Sequence, residues 1–250
     1  MSQLIAVWGS PGSGKTSFMV KLAREIYNRN SSAKVICVFP EVNTPVLPVI
    51  FPNKKAEDFY SLGKLMNMAE FNTNDVLSHF VLAKGIKNVV FMGYKYGENK
   101  YTYAEYTSEK ANTFLDMCSY LGDYVLVDCS CDLSDKISYY AMLKADKVFR
   151  VASPTLKSVS FMASNVPMYN DEKYNFDKHI FVLVETEQDV YMPVEDAATC
   201  LGDIKHTVPY CLDLKKQFYN GELLDIVKNK KYQAALNKIS DEVLKVEQDS

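Results

Sequence analysis

A glycine-rich segment near the N-terminus constrains the fold more than any other feature of this 250-residue chain. Residues 9–16 read GSPGSGKT and satisfy G-x-x-x-x-G-K-[ST], the pattern of a phosphate-binding P-loop. The apolar run at 4–8 is typical of a buried strand, and residues 15–28 have helical periodicity. The alternative is a turn of glycines and serines that matches the pattern by chance, and such a turn would not require a strand before it and a helix after it. The segment therefore predicts a strand, a phosphate-binding loop and a helix.

Each part of the loop has a chemical role in that prediction. Glycines allow the backbone to turn its N–H groups toward phosphate oxygens, and the helix N-terminus adds partial positive charge. Lys15 supplies a charge for the β- and γ-phosphates, and the hydroxyl of Thr16 can ligate Mg²⁺. The residues predicted to surround the phosphates are Gly9, Ser10, Pro11, Gly12, Ser13, Gly14, Lys15, Thr16 and Ser17.

The amino-acid composition limits the kinds of protein that this chain can be. The chain is 48% hydrophobic and 24% charged, which is ordinary for a globular protein. A net charge of −3, with arginine only at Arg24, Arg29 and Arg150, predicts no specific binding of nucleic acid. The six cysteines form no C-x-x-C pair, which indicates a reduced protein without a zinc site. We expect a cytoplasmic protein with no signal peptide and no stable membrane insertion.

Short apolar runs alternate with helical patterns along the chain. This alternation predicts a single α/β domain over 1–250, with a mostly parallel sheet and helices on both faces. The predicted strands are 4–8, 34–39, 89–93, 124–128, 147–151, 180–184 and 205–208. The predicted helices are 15–28, 56–69, 72–83, 108–121, 134–144, 156–168, 193–201 and a C-terminal helix at about 224–246.

Two segments do not fit the alternation. Residues 43–52 contain three prolines and are expected to hold no regular element. Residues 94–107 are rich in tyrosine and predict a hairpin or a long loop. That segment is either a hairpin on the domain surface or a protein-contact patch, since tyrosine is enriched in interface cores.

Acidic residues follow three of the predicted strands, where ligands bind in a parallel sheet. Asp128 ends an apolar strand and is the candidate Walker B acid that holds Mg²⁺ directly or through water, although such an acid can also cap a helix. Glu41 follows the second strand and either orients the attacking water or is a solvated loop carboxylate. Glu185 is a weaker candidate for the border of the base pocket.

Two common kinds of P-loop protein are excluded by missing motifs. A GTPase would read guanine with N-K-x-D, and each Asn-Lys pair in this chain lacks the aspartate two residues on. A small-molecule kinase needs an arginine-rich lid, and three arginines do not provide one.

Residues 123–159, DYVLVDCSCDLSDKISYYAMLKADKVFRVASPTLKSV, resemble the MinD/ParA-type ATPases. In that family an aspartate-ended strand leads through a helix and an A-D-x-V turn to another strand and a P-x-x-x-S-V helix entry. Residues 193–223 are similar to the family's closing segment, in which the residues around Pro209 wall the adenine. With the P-loop, the similarity spans nearly the whole chain. It is greatest to the ATPase domain of the TadZ/CpaE-like pilus-assembly proteins.

The resemblance implies an ATP-dependent switch that uses ATP, ADP and Mg²⁺. Two subunits would close face to face around two ATP molecules, and hydrolysis would release them. The implied partners are a second copy and a pilus or secretion ATPase or a polar localisation protein, which would recruit this bacterial protein to the inner face of the membrane. Lys15 and Thr16 correspond to the phosphate and metal residues, Glu41 to the catalytic aspartate and Asp128 to the Walker B aspartate.

Three positions depart from the family pattern. Ser10 stands where the family has a lysine that reaches the partner's site, and Asp132 replaces the glycine that senses the γ-phosphate. Glu41 adds a methylene to the catalytic acid, where about 1 Å of misplacement can cost 10²-fold in rate. We therefore expect slow hydrolysis, with a non-hydrolysing nucleotide-binding adaptor as the alternative.

The resemblance also raises two further functions, membrane contact and DNA partition. A membrane-binding tail is disfavoured because Asp241 and Glu242 would oppose anionic lipid, so a helix packed on the domain is expected at the C-terminus. DNA partition would require a face rich in lysine.

Overall fold

Eight strands form one sheet in the computed structural model, which describes residues 2–132, 134–169, 171–188 and 192–244. The strand order is β3-β4-β2-β5-β1-β6-β7-β8, and every neighbouring pair is parallel except β3 and β4. The strands are β1 (Gln3–Gly9), β2 (Val35–Phe39), β3 (Val81–Ala83), β4 (Ile86–Gly93), β5 (Tyr124–Asp128), β6 (Lys147–Ala152), β7 (His179–Val184) and β8 (His206–Val208).

Helices cover both faces of this sheet. The described α-helices are α1 (Lys15–Arg29), α2 (Leu47–Ile50), α3 (Leu62–Asn67), α4 (Thr73–Ser78), α5 (Ser108–Leu121), α6 (Lys136–Lys144), α7 (Leu156–Asn165), α8 (Val194–Leu201), α9 (Leu212–Asn220) and α10 (Lys230–Leu244). The core on one face is closed by α1, α2 and α10, and the core on the other by α3 to α8. Every residue of β1, β2 and β5 is buried, as expected for strands covered on both sides. The predicted fold class is confirmed.

The prediction of one helix over 72–83 is wrong. Asn72 caps α4 by accepting hydrogen bonds from Asn74 and Asp75, but the helix ends at Ser78. The chain then forms β3, which pairs antiparallel with β4 at the edge of the sheet. Along β3 the residues alternate buried, exposed, buried, which is a strand pattern too short to recognise in the sequence.

The helix predicted over 56–69 is also two elements. A 3₁₀ turn covers Ala56–Asp58, and α3 begins after Ser61, whose side chain caps it by accepting from the Gly63 N–H. The backbone of Ser61 is extended, as is usual for a residue that caps the start of a helix, so no continuous helix can run through this position.

Residues 43–52 contain a short helix, which contradicts the expectation of no regular element. Pro48 lies in the first turn of α2, where a proline costs no helical hydrogen bond. The 94–107 segment contains no strand and is a loop rather than a hairpin.

The C-terminal part of the chain also differs from the prediction. Helix α9 was not predicted, and none of its residues is fully buried. The last helix begins at Lys230 instead of near 224, and 245–246 lie outside the described residues. Residues 222–229 form no helix, and the carbonyls of Leu223 and Asp225 in this segment accept hydrogen bonds from Lys21 in α1.

The topology sets the position of the site. The carboxyl ends of the parallel strands lie at one edge of the sheet, and β1 runs between β5 and β6. In the register of the sheet Val7 faces Asp128, so the last residue of β5 lies directly beside the start of the P-loop. Residues after β2, β7 and β8 reach the same edge.

Candidate functional site

The P-loop connects the end of β1 to the first turn of α1. Gly14 precedes the helix with φ of 82°, a left-handed conformation that favours glycine. Gly9 lies against β6 so closely that a Cβ there would be 1.8 Å from the Val151 carbonyl oxygen. The Ser13 hydroxyl donates to the Ser10 carbonyl at 2.7 Å. These contacts give the loop a fixed course before any ligand is bound.

Thr16 and Asp128 meet at the base of the loop. The Thr16 hydroxyl donates to Asp128 Oδ2 at 2.5 Å. The other oxygen, Asp128 Oδ1, is buried and has no hydrogen-bond partner among the described residues. Burial raises the pKa of Asp128 to about 6, against the opposing effects of Lys15 and Thr16, and the charge of Glu41 adds to the rise. A buried carboxylate oxygen without a donor is suited to a cation.

Lys15 lies over the loop, and both hydrogen-bond partners of its ammonium are neutral. Its Nζ is 3.2 Å from Cys131 Sγ and 3.4 Å from the Ser10 carbonyl oxygen. The Cys131 thiol in turn donates to the Gly9 carbonyl at 3.1 Å. Within the described part of the chain, Lys15 forms no ion pair, so its charge is available to an anion.

Glu41 is bound to the loop that follows β5. Its Oε2 accepts a hydrogen bond of 2.6 Å from the Ser130 hydroxyl, and its Oε1 accepts one of 2.8 Å from the Asn43 N–H. The structure therefore brings Glu41 next to the Asp128 segment, and its carboxylate is not simply solvated. Sequence reasoning missed Ser130, because no pattern links it to a residue 89 positions away.

Asp132, the residue at the family's glycine position, is engaged within its own loop. Its N–H donates to the Ser130 hydroxyl at 3.1 Å, and its Oδ1 accepts from the Ser134 N–H at 2.9 Å. The carboxylate thus has a local backbone donor.

Ser10 points into the protein. Its side chain is 0% exposed, and its hydroxyl shares a 2.5 Å hydrogen bond with that of Ser158 in α7. Ser158 also accepts from the Ser153 N–H at 3.0 Å. Residue 10 therefore ties the P-loop to the segment between β6 and α7.

A cavity of about 380 Å³ opens beside the P-loop, between α1, the ends of β7 and β8, and α9. Pro209 lines it, at the place that the resemblance implies for the adenine wall. Glu185 also lines it and accepts from the Tyr210 N–H at 3.2 Å. Sequence reasoning missed the residues that α9 and its approach contribute, which are Tyr210, Leu214, Lys215, Phe218 and Tyr219.

Lys21 holds the far wall of this cavity in place. From α1, its ammonium donates to Gln217 Oε1 at 2.6 Å, to the Leu223 carbonyl at 2.6 Å and to the Asp225 carbonyl at 2.5 Å. Burial lowers its pKa to about 8. The P-loop helix is thus joined to α9 and the segment after it.

We expect Lys21→Met to destabilise the protein by about 1–2 kcal/mol, because Gln217 and the Leu223 and Asp225 carbonyls lose a charged donor, and this loss outweighs the relieved cost of burying the ammonium. Thermal unfolding should show a fall of several degrees, since about 1 kcal/mol shifts the midpoint by roughly 2–4 °C at this size. Lys238→Met, at an exposed position of α10, is the control and should leave the midpoint unchanged. Equal midpoints for the two variants would contradict this role of Lys21.

The tyrosine-rich loop at 94–107 is anchored on its inner side. Tyr103 and Ser61 donate to the buried carboxylate of Glu98, each at 2.6 Å, and Tyr106 donates to Asp135 at 2.8 Å. On the outer side, Tyr96 is 78% exposed and Tyr101 is 84% exposed. Several of the tyrosines are therefore structural, and only part of the loop presents rings to solvent.

Comparison with protein-family models finds no match, and comparison with curated protein sequences finds no significant one. Solved structures do match. A ParA family ATPase from Chlorobium tepidum superposes with a TM-score of 0.79 and 12% identity, over 96% of this chain and 99% of that one. The septum site-determining protein MinD of Pyrococcus horikoshii, solved with Mg-ADP, superposes with a TM-score of 0.74 and 17% identity, over 99% of this chain and 98% of that one. A chain of the MinC–MinD cell division protein complex of Aquifex aeolicus superposes with a TM-score of 0.72 and 17% identity, over 100% of this chain and 97% of that one.

This is the fold of the ParA and MinD ATPases. At such identities the likeness shows the fold alone, and it extends over nearly the full length of both chains. The predicted resemblance is confirmed at this level, whereas the narrower similarity to TadZ/CpaE-like proteins stays a prediction. No helix in the described ranges is long and apolar enough to cross a membrane.

Proposed function

We propose that this protein binds ATP with Mg²⁺ and acts as a MinD/ParA-type nucleotide switch. The observation that carries the proposal is the pairing of Thr16 with Asp128 at 2.5 Å under a P-loop whose lysine has no carboxylate partner among the described residues. The cavity that extends from Thr16 to Pro209 has room for the rest of a nucleotide, at about 380 Å³. The Mg-ADP bound to the structurally similar MinD supports this assignment.

The residues present fit a magnesium ion. Within the described part of the chain, no three His, Cys, Asp or Glu side chains form a metal cluster, so the protein offers no closed cage. Thr16 and the unpartnered Asp128 Oδ1 instead offer a few oxygens, and nucleotide phosphates and water would complete the shell that Mg²⁺ prefers. When bound, the ion would neutralise charge on the phosphates.

The remaining residues bind and orient the substrate. Lys15 and the N-terminus of α1 attract the phosphates, while Pro209 and Tyr210 flank the base. Glu41, held at the end of β2, orients the attacking water. Because Glu41 is one methylene longer than the family's aspartate and Ser10 brings no charge, we propose slow turnover. A non-hydrolysing adaptor with the same binding site is the second candidate, and the inward-facing Ser10 favours it.

We further propose that ATP drives formation of a homodimer, and that the protein localises or regulates a pilus or secretion assembly. The proposed partners are the assembly ATPase or a polar localisation protein, which would recruit it to the membrane from the bacterial cytoplasm. The MinC–MinD complex supports partner binding by this fold. The family resemblance of residues 123–159 and 193–223 supports the choice of assembly.

The experiment is a set of three measurements on pure protein beside Lys15→Ala. Fluorescence of Trp8, the only tryptophan and the residue before Gly9, reports nucleotide binding. Steady-state hydrolysis of Mg-ATP reports turnover, and light scattering reports mass with and without ATP. We expect wild-type protein to bind, hydrolyse slowly and dimerise, and Lys15→Ala to bind at least about tenfold more weakly, because the phosphates lose a charge partner.

The outcomes separate the candidates. Binding without turnover or a change in mass leaves the adaptor and rejects the switch. If wild-type protein binds no better than Lys15→Ala, the nucleotide site itself is wrong.

A further inference from the structure

Ser130 is a buried polar residue, 5% exposed, that lies between two parts of the candidate site. It follows Asp128 by two residues and contacts Glu41, which comes from the end of β2. Neither the P-loop pattern nor the family resemblance assigns it a role. Its contacts nevertheless determine where the Glu41 carboxylate lies.

The hydrogen bonds of Ser130 fix the direction of its proton. The Asp132 N–H donates to the Ser130 oxygen at 3.1 Å, which makes that oxygen an acceptor on one side. The single hydroxyl proton then points to Glu41 Oε2 at 2.6 Å. A hydroxyl can donate one hydrogen bond and accept two, so the single proton of Ser130 is donated to Glu41.

The backbone of Ser130 is fixed as well. Its N–H donates to the Ser138 hydroxyl in the first turn of α6 at 2.8 Å. Ser138 is itself 3% exposed, and its N–H donates to Asp135, the cap of α6, at 2.7 Å. The backbone of Ser130 is therefore anchored to the first turn of α6.

Glu41 needs such a support more than an aspartate would. Its longer side chain has an additional rotatable bond, and the Asn43 N–H holds only Oε1. An acceptor oxygen has a second lone pair, so each carboxylate oxygen can still accept a proton from a water while it keeps the bond described here. The hold by Ser130 thus directs the carboxylate without blocking it.

We propose that Ser130 is a positioning residue that holds Glu41 in the orientation required to align the attacking water. The inference rests on the proposed ATPase function and adds a residue to its site. Ser130 acts through Glu41 and touches no reacting atom.

We expect Ser130→Ala to lower kcat on the order of 10-fold while the KM for Mg-ATP and the Trp8-reported affinity stay unchanged, since only alignment is lost. Ser130→Thr keeps the hydroxyl and should retain most of the turnover. Ser134→Ala, an exposed serine of the same loop, is the matched control and should behave as wild type. Thermal unfolding of each variant checks that the fold is intact.

A double-mutant comparison gives a readout that a structural role would not move. In a Glu41→Gln background, Ser130→Ala should cause no further loss of kcat, because its target no longer acts as a base. Glu41→Asp should be slower than wild type, because the shorter side chain cannot reach Ser130. Equal losses of kcat in both backgrounds, or full turnover by Ser130→Ala, would overturn the inference.

The same assays distinguish this inference from the proposed function. Wild-type protein that binds Mg-ATP but does not hydrolyse it leaves the binding site standing and overturns the role of Ser130. Absence of nucleotide binding removes both. Slow but measurable turnover, abolished in Lys15→Ala and reduced in Ser130→Ala, supports both.

Discussion

Replacing Asp128 with asparagine is expected to stabilise the ligand-free protein at neutral pH and to abolish its response to Mg-ATP. The pKa of Asp128 is raised from 3.8 to about 6 by burial. Between these values the folded protein holds a proton that the unfolded chain has lost, so the free energy of unfolding falls as pH rises. Above pH 6 the whole penalty is present, on the order of 3 kcal/mol at 1.36 kcal/mol per unit.

Asparagine has nearly the same shape, still accepts from the Thr16 hydroxyl and carries no charge. We expect a net gain of about 1–3 kcal/mol at pH 7.5, because the buried amide has a desolvation cost of its own. The unfolding midpoint should then rise by several degrees, at roughly 2–4 °C per kcal/mol. The difference from wild type should shrink as pH falls from 6 toward 4.

The same substitution removes the charge that Mg²⁺ would meet. We expect Mg-ATP to stabilise wild-type protein but not Asp128→Asn, and turnover to fall by about 10²-fold or more. Thermal unfolding across pH 4–8, with and without Mg-ATP, measures both effects, with the exposed Asp203→Asn as control. A ligand-free Asp128→Asn less stable than wild type at pH 7.5 would contradict the burial cost inferred here for the Asp128 charge.

Introducing the family's lysine at position 10 is expected to damage the protein instead of restoring fast hydrolysis. The Ser10 side chain is 0% exposed and 2.5 Å from the Ser158 hydroxyl. A lysine would add three heavy atoms and a positive charge to this fully buried position. Overpacking costs about 1–3 kcal/mol, and a buried unpaired ammonium adds to it.

We therefore expect Ser10→Lys to lower the unfolding midpoint by roughly 6–12 °C, for a loss of about 3 kcal/mol. Ser10→Ala loses only one hydrogen bond and should cost about 1 kcal/mol. Hydrolysis and light scattering with ATP should show no gain in rate or dimer for Ser10→Lys. A stable variant that hydrolyses faster would mean that residue 10 can turn outward and reach a partner.

The elements that the sequence predicted correctly are those with local, repeated signals. The P-loop between β1 and α1 is contiguous in the chain. Its glycines stand at the positions where the backbone needs conformations that favour glycine, so the motif can be recognised from a few neighbouring residues. The buried strands β2 and β5 are continuous apolar runs. By contrast, β3 has three residues, too few to establish an alternating pattern in the sequence. Helix α9 was also missed, and none of its residues is fully buried.

The geometry of the site was harder to predict from the sequence than the fold was. Lys15, Thr16 and Asp128 were predicted as a set from motif chemistry, although Thr16 and Asp128 are 112 residues apart and only the parallel register brings them to 2.5 Å. The sequence left two interpretations of Glu41 open, and its contact with Ser130 shows that it is held in place. For Ser10, the sequence shows a missing charge, whereas its inward direction is visible only in the packing against Ser158.

The sequence by itself thus determined the fold class, the phosphate loop and the chemical types at the sheet edge, because hydrophobic period and loop chemistry act over a few residues. The tertiary structure alone decided which polar groups pair, which way Ser10 points, and that Asp128 keeps an oxygen without a donor among the described residues. Those outcomes depend on strand order and on side-chain packing between segments far apart in the chain, and no local pattern records either.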